Sequence, residues 1–166
     1  GVMVTGSHNP PEFNGFKLTF CGSPFWDEDI KSLGNEISDG DFAEAQGTVA
    51  KVSVVEDYVA RLSAEYRSKA PLSVVWDVAN GAAGDVVRCL VDRLPGKHTV
   101  LNAQIDGTFP SHHPDPTVAE NLEQLISEVV DHSYDVGIGF DGDGDRIGVI
   151  DNTGAIIWGD QLLTLY

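Results

Sequence analysis

Tyr134-Asp135-Val136-Gly137-Ile138-Gly139-Phe140-Asp141-Gly142-Asp143-Gly144-Asp145-Arg146 reads as a buried strand, Tyr134 to Phe140, that runs directly into an acidic loop. Where strands alternate with helices, the loop at the carboxyl end of such a strand is the place where ligands bind. Working outward, Ile147 to Ile150 and Ala155 to Trp158 read as a hairpin turning at Asp151-Asn152-Thr153-Gly154. On the other side, Leu122, Leu125, Ile126 and Val129 share one face of a helix from about Val118 to Asp131. Before it lie a Pro- and His-bearing loop (Gln104 to Thr117), a strand (Lys97 to Ala103), a helix (Asp85 to Leu94), a buried strand (Leu72 to Val78) and a helix marked by Val55, Tyr58, Val59, Leu62 and Tyr66. This alternation predicts an α/β fold: a mixed, largely parallel sheet with flanking helices.

The part before residue 54 is organised differently. A strand end (Val2-Met3-Val4, read as half of a buried strand) leads through a turn-rich loop to a short strand, Phe16 to Phe20. A helix over roughly Asp27 to Ser38 follows, because Trp26, Ile30, Leu33 and Ile37 recur at helical spacing and Asp27, Glu28 and Asp29 suit its positive end. The acidic aromatic segment around Trp26 is expected to pack into a core. The expected divisions are residues 1–53, 54–158 and 159–166. Both edges read as cut: Asp160 to Tyr166 begins a capped apolar helix and stops after about two turns, so a fragment with further sequence on either side is expected.

Composition removes several classes of function. Ten Lys and Arg against 26 Asp and Glu give a net charge of −16, which repels nucleic-acid phosphates and anionic lipid headgroups. No apolar run approaches the roughly 20 residues that span a bilayer. Cys21 and Cys89 stand 68 positions apart with no CxxC pair, so neither a disulfide framework nor a zinc site is indicated, and a reducing cytoplasmic setting is expected.

The acidic loop carries the clearest chemistry. Asp141, Asp143 and Asp145 would repel one another if left uncompensated. Gly142 and Gly144 let the backbone turn all three side chains toward one point, where a hard divalent cation, expected to be Mg²⁺, would compensate them. Arg146 is the one Lys or Arg among the 69 residues from His98 to Tyr166, a stretch with 12 Asp and Glu. Its place beside the carboxylates suggests a phosphate ligand, which a guanidinium binds bidentately. An EF-hand is excluded, since its sixth position requires Gly and holds Arg146, and its twelfth requires Glu and holds Asn152. His112 and His113, set among Pro110, Pro114 and Pro116, read as a rigid structural loop in preference to a metal site.

A second loop, Thr5-Gly6-Ser7-His8-Asn9-Pro10-Pro11-Glu12-Phe13-Asn14-Gly15-Phe16-Lys17, presents a hydroxyl at a strand end. His8 is suited to moving a proton and Lys17 to stabilising an anion. The G-x-S-x-G elbow of acyl-transfer enzymes is absent. A hydroxyl loop paired with a metal loop and an Arg is the set of parts that phosphoryl transfer needs.

These two motifs, 134 residues apart from Ser7 to Asp141, resemble the α-D-phosphohexomutase superfamily, nearest to its bacterial phosphomannomutase/phosphoglucomutase branch. Asp77-Val78-Ala79-Asn80-Gly81-Ala82-Ala83-Gly84 and the segment from Asp106 to Pro116 resemble two further family segments. Gly6, where many relatives carry Ala, favours that branch. The resemblance implies a four-domain enzyme, of which this chain holds the end of the first domain, the whole of the second and the start of the third. It implies that Ser7 is the phosphoserine and that Asp141, Asp143 and Asp145 bind Mg²⁺ together with an oxygen of the Ser7 phosphate. Asn9 and Arg146 are implied as phosphate- or loop-holding residues, with His8 and Lys17 as catalytic candidates. The implied reaction moves phosphate between C1 and C6 of a hexose, mannose or glucose, through a hexose 1,6-bisphosphate that also serves as activator. The partner implied is a hexose phosphate, with no nucleic acid and no membrane, and the parent enzyme is expected to be monomeric. By itself the chain is expected to bind metal weakly and to be inactive, because the sugar-recognition and phosphate-clamping loops of the third and fourth domains lie outside it. A metal-dependent phosphatase and a noncatalytic phosphosugar-binding module are the alternatives; phosphate on Ser7 discriminates between mutase and binding module.

Overall fold

The computed structural model describes every residue except Ser7, His8, Pro11, Asp41, Ser68, Lys69 and Tyr166, and describes Leu165 without its side chain. The described chain divides into two units, the first made of Gly1–Thr5 and Asn14–Ser53, the second of Gly6–Phe13 and Val54–Tyr166.

In the first unit, β1 (Val2–Val4), β2 (Phe16–Phe20) and β3 (Ser23–Phe25) form an antiparallel sheet in that order. Met3 lies opposite Lys17 in this ladder. Helix α1 (Glu28–Asp39) follows, with Lys31 paired to Asp27 and Glu28 on its exposed side. Two expectations are corrected here. The strand Val2–Val4 is exposed along its length, and α1 has no buried residue: Trp26 is 67% exposed and Ile37 57%. Periodicity identifies which residues share a face, but three short strands and one helix supply too little opposing apolar surface to cover it. Val49–Val54, which alternates in sequence, forms no element and is exposed.

The second unit opens with α2 (Val55–Glu65), then β4 (Leu72–Asp77), α3 (Gly84–Val91), β5 (Gly96–Leu101), a 3₁₀ turn at Ala119–Leu122, α4 (Glu123–Asp131), β6 (Val136–Phe140), β7 (Ile147–Asp151), β8 (Ile156–Ile157) and a short α5 (Gly159–Leu162). The strands form one mixed sheet in the order β5-β4-β6-β7-β8. β4 pairs in parallel with both β5 and β6, while β7 and β8 add antiparallel pairings through the expected hairpin. Among the described residues no helix is long and apolar enough to cross a membrane.

The strand order fixes where a ligand site can lie. From β4 the chain crosses to β5 on one side through α3, then back past β4 to β6 through α4. Parallel units cross over right-handed as a rule, and two such crossovers in opposite directions put α3 and α4 on opposite faces of the sheet. The reversal makes the carboxyl ends of β4 and β6 the topological switch point, where the diverging loops leave a crevice. On one face, α4 packs on β4, β6 and β7. The core there is Val75, Leu122, Leu125, Val129, Tyr134 and Ile150, each at most 3% exposed. A fully buried aliphatic side chain of this kind is worth roughly 1.5–3 kcal/mol. The helix comes this close because β6 has glycine beneath it: a Cβ on Gly137 would stand 2.8 Å from Val129 Cγ2 and 3.0 Å from Leu125 Cδ1. Val74 alternates to the other face, and Val59 of α2 and Val87 of α3 are also buried.

Candidate functional site

β4 and β6 end side by side, Asp77 registering with Gly139, and each releases its loop at the switch point. The loop from β6 carries the three carboxylates. Phe140, the last strand residue, is stacked on Trp76 of β4 with ring centroids 6.3 Å apart, which fixes the point where the loop departs. Asp141 follows with no exposure at all. Its carboxylate organises the loop: Oδ1 accepts from the backbone N–H groups of Asp145 at 3.0 Å and Arg146 at 3.1 Å, and Oδ2 accepts from Arg146 Nε at 2.9 Å. The turn is closed by Gly144 N–H donating to the Asp141 carbonyl at 3.2 Å. Gly144 has φ +75°, a left-handed conformation that a side chain would strain.

Folding the loop in this way brings together one carboxylate oxygen from each of Asp141, Asp143 and Asp145, all within 4.8 Å of one another, and this is the single such acidic or His/Cys group among the described residues. Asp141 is buried, Asp143 half-buried and Asp145 exposed, so the cluster opens outward. Burial pushes the Asp141 carboxyl above its ordinary value; hydrogen bonding from the Arg146 backbone pulls it back, and the negative charges of Asp143 and Asp145 raise it again against the opposing charge of Arg146. A carboxylate crowded by two others in a place that tolerates charge poorly is a donor set for a hard cation. The residues present therefore fit Mg²⁺: three oxygen ligands on a turn held by its own backbone, leaving the outer side for water or a phosphate oxygen. Arg146 reaches Asp145 at 3.6 Å as well. It also lines a groove with Pro116, Thr117, Ile147, Ile156 and Trp158, so it connects the carboxylates to an open concave surface.

The loop from β4 holds a second polar centre that sequence reading did not identify. Asp77, 1% exposed, accepts from Ala79 N–H at 3.0 Å and Asn102 Nδ2 at 2.9 Å through Oδ1, while Oδ2 faces His112 Nε2 at 2.9 Å. Burial acts to raise the Asp77 carboxyl, but the hydrogen bonds from His112 and Asn102 and the His112 charge outweigh it and hold the group below its ordinary range. His112 is correspondingly raised, first by its hydrogen bond to Asp77, against burial, and further by the His113 carbonyl. Both ring nitrogens of His112 face acceptors, Asp77 and the His113 carbonyl at 3.0 Å, so only the imidazolium satisfies both. His112 thus works as a structural tie. The signal available in sequence was a lone Asp at the end of a buried strand, which does not name its partner 35 positions away.

Of the other sequence-derived candidates, Ser7 and His8 lie outside the described residues. Asn9 is exposed and its N–H donates to the Gly6 carbonyl at 2.9 Å; Phe13 N–H closes a second turn on the Pro10 carbonyl. Lys17 lies on β2 of the first unit and is exposed. The described residues of Gly6–Phe13 belong to the second unit, the one that carries the acidic cluster.

Comparison with known proteins adds an independent line. Residues 55–154 match the family model "Phosphoglucomutase/phosphomannomutase, alpha/beta/alpha domain II", and residues 1–44 match that of domain I. The chain is 44% identical over 166 residues to the phosphomannomutase/phosphoglucomutase of Pseudomonas putida, and 40% identical over 168 residues to the phosphoglucomutase of Neisseria meningitidis serogroup B. Each alignment covers all of this chain and 36% of the relative, so the chain spans about a third of the length of the curated relatives it matches. A crystal structure of a phosphoglucomutase/phosphomannomutase family protein from Burkholderia thailandensis superposes with a TM-score of 0.89 at 39% identity, covering 99% of this chain and 36% of that one.

Proposed function

The chain belongs to the phosphoglucomutase/phosphomannomutase family, and from that premise we propose that it supplies the phosphoserine and metal-binding parts of a hexose-phosphate mutase acting on glucose and/or mannose phosphates. The observation that carries this reading is the convergence of Asp141, Asp143 and Asp145 to within 4.8 Å at the switch point of the domain II sheet, with Arg146 beside them. Support also comes from the sequence of the loop around Ser7, whose flanking residues belong to the same unit as that cluster.

In the proposed cycle Ser7 carries a phosphoryl group on Oγ. A sugar hydroxyl attacks phosphorus in line, the P–Oγ bond breaks, the new P–O bond gives the hexose 1,6-bisphosphate, and the hydroxyl proton passes to His8 while the Lys17 ammonium stabilises the developing negative charge. The bisphosphate turns round in the site. Ser7 Oγ then attacks the other phosphate, the sugar oxygen leaves and takes up a proton, and phosphoserine is restored with the phosphate moved from one carbon to the other. Mg²⁺, when held by Asp141, Asp143 and Asp145, would lower the charge on the phosphoryl oxygens. Arg146 would orient the same oxygens bidentately, and Asn9 would keep the Ser7 loop in shape. Such a reaction asks for positioning and charge neutralisation more than for a strong base.

Intact-mass spectrometry of the full-length protein, after incubation with hexose 1,6-bisphosphate and Mg²⁺, tests this. The expected result is one added phosphoryl group, absent in Ser7→Ala, and discharged by glucose 6-phosphate or mannose 6-phosphate. A protein that never takes phosphate on Ser7 would instead be a phosphosugar-binding module.

A further inference from the structure

Beside the acidic loop, at the same end of the sheet, lies the segment that leaves β4, and its backbone makes direct contact with the backbone between the first two carboxylates. Ala82 N–H donates to the Gly142 carbonyl at 2.9 Å. Gly81 lies so close that a Cβ there would stand 2.7 Å from the Gly142 carbonyl oxygen and 3.1 Å from its carbon. A third contact follows at Gly144, where an added Cβ would meet Ala83 Cβ at 3.2 Å. The first of these clashes involves main-chain atoms, which have no rotamer with which to yield, so a side chain at position 81 must displace one loop or the other.

The β4 segment is the less yielding of the two. Asp77 holds the Ala79 amide and is itself held by Asn102 and His112. Asn80 is bound on three sides: its N–H donates to the Asn102 carbonyl, its Nδ2 to the Gln104 carbonyl, and its own carbonyl accepts from Asp106 N–H, each at 2.9 Å. Gly81 N–H closes on the Val78 carbonyl at 2.7 Å. At the far end, Gly84 is so close to the segment that follows β5 that a Cβ would come within 2.3 Å of the Ala103 carbonyl oxygen. Ala79 and Asn80 are both left-handed, with φ 46° and 58°. Consecutive non-glycine residues persist in that conformation only where their surroundings over-determine it.

We infer that Asp77–Gly84 is a positioning element for the cation site, with Gly81 and Ala82 setting the Gly142 peptide and through it the separation of Asp141 from Asp143. This rests on the reading of the three carboxylates as cation ligands. Outer residues that orient ligands typically change metal affinity 10- to 100-fold when altered. Gly81 and Ala82 do so through main-chain contact, so the effect is on the geometry of binding and not on its charge.

Calorimetric titration of Mg²⁺ into the chain tests this, with thermal unfolding of the metal-free form measured in parallel. Gly81→Ala is expected to weaken Mg²⁺ binding by about tenfold or more. Leu125→Ala lowers the stability of the same unit through its core and is expected to leave the Kd within about twofold, a separation that a merely structural role for Gly81 would not produce. Gly34→Ala, whose Cβ meets nothing within 4 Å and which lies in the first unit, is the control expected to leave Mg²⁺ binding unchanged. A folded Gly81→Ala chain that binds Mg²⁺ within about twofold of the unsubstituted chain overturns the inference. Should Gly81→Ala not fold, the unsubstituted chain decides by NMR: the Ala82 amide is expected to shift on Mg²⁺ addition together with those of Asp143, Asp145 and Arg146, and a stationary Ala82 amide overturns the inference. If the unsubstituted chain takes up no Mg²⁺, the cation reading itself fails and this inference with it.

Discussion

Replacing His112 by Ala removes one side of a buried ion pair while leaving Asp77 two other donors, the Ala79 amide and Asn102 Nδ2. Removing a partner from a buried pair costs about 3–5 kcal/mol. The retained donors place this case at the lower end, about 3 kcal/mol, since hydrogen bonds to charged groups contribute about 1.5–3 kcal/mol each. Little discount for solvent applies, because the Asp77 and His112 side chains are 1% and 17% exposed. With a urea slope of about 2 kcal/mol/M, the unfolding midpoint of the second unit should fall by about 1.5 M. Following the amide signals of β4 confines the readout to that unit.

The dependence on pH is the stricter part of the prediction. His112 is raised in the folded state, so its contribution is complete below the ordinary value of 6.5 and is lost as pH rises through the raised value. Asp77 is lowered, so its contribution is complete above 3.8 and is lost as pH falls through the lowered value. The difference between the native chain and His112→Ala should therefore be greatest between 3.8 and 6.5 and shrink on both sides. A midpoint shift equivalent to less than about 1 kcal/mol within that window, the range of surface pairs, would refute the reasoning. A shift independent of pH up to the alkaline side would also refute it.

Other expectations bear on the acidic loop and the core. Asp143→Asn removes a like charge from beside Asp141, so the metal-free chain should melt slightly higher, by roughly 2–5 °C for about 1 kcal/mol, while calorimetry shows Mg²⁺ binding abolished. Leu125→Ala, at a site with no exposure, should cost about 2–5 kcal/mol in urea unfolding. Gly137→Ala forces a Cβ against Val129 and Leu125 and should cost about 1–3 kcal/mol through overpacking, with α4 amides exchanging faster. Gly34→Ala on the exposed α1 should instead stabilise that helix by about 0.8–1 kcal/mol, read by far-UV circular dichroism on heating.

The sheet strands of the second unit were legible because their signals are local: apolar runs bounded by turn residues, and a Thr-Gly hairpin turn between β7 and β8. β3 was not, since Ser23-Pro24-Phe25 is three residues long and includes a proline, which reads as a breaker and is accommodated only because β3 is an edge strand. The start of the α4 region is a 3₁₀ turn, a distinction of hydrogen-bond register that 3.6-residue periodicity does not resolve. The acidic cluster could be read from spacing because its three carboxylates lie within five consecutive residues. Its support could not: the Ala82–Gly142 bond joins residues 60 positions apart, and the Asp77–His112 pair and the left-handed Ala79 and Asn80 arise only once β4, β5 and β6 lie side by side.

That placement accounts for the distribution of cost in the unit. Three clustered carboxylates, a buried Asp and the consecutive left-handed pair Ala79 and Asn80 fall at the carboxyl ends of β4 and β6, while left-handed residues elsewhere in the unit, Asn102, Phe109 and Ser133, stand singly. The opposite end of the same strands is joined by an inexpensive tie, Ser73 N–H and Oγ donating to Asp135 at 2.7 and 2.6 Å. Strain and charge repulsion persist where a ligand can offset them, and binding to the native state stabilises it by an amount set by ligand concentration over Kd. Mg²⁺ should accordingly stabilise the second unit against urea, with the slope of stabilisation against log concentration reporting one ion, and Asp145→Asn should abolish that gain. A chain whose stability is indifferent to Mg²⁺ at millimolar concentration would mean that the carboxylates are compensated from within the protein, and that the charge at this end of the sheet serves something other than a cation.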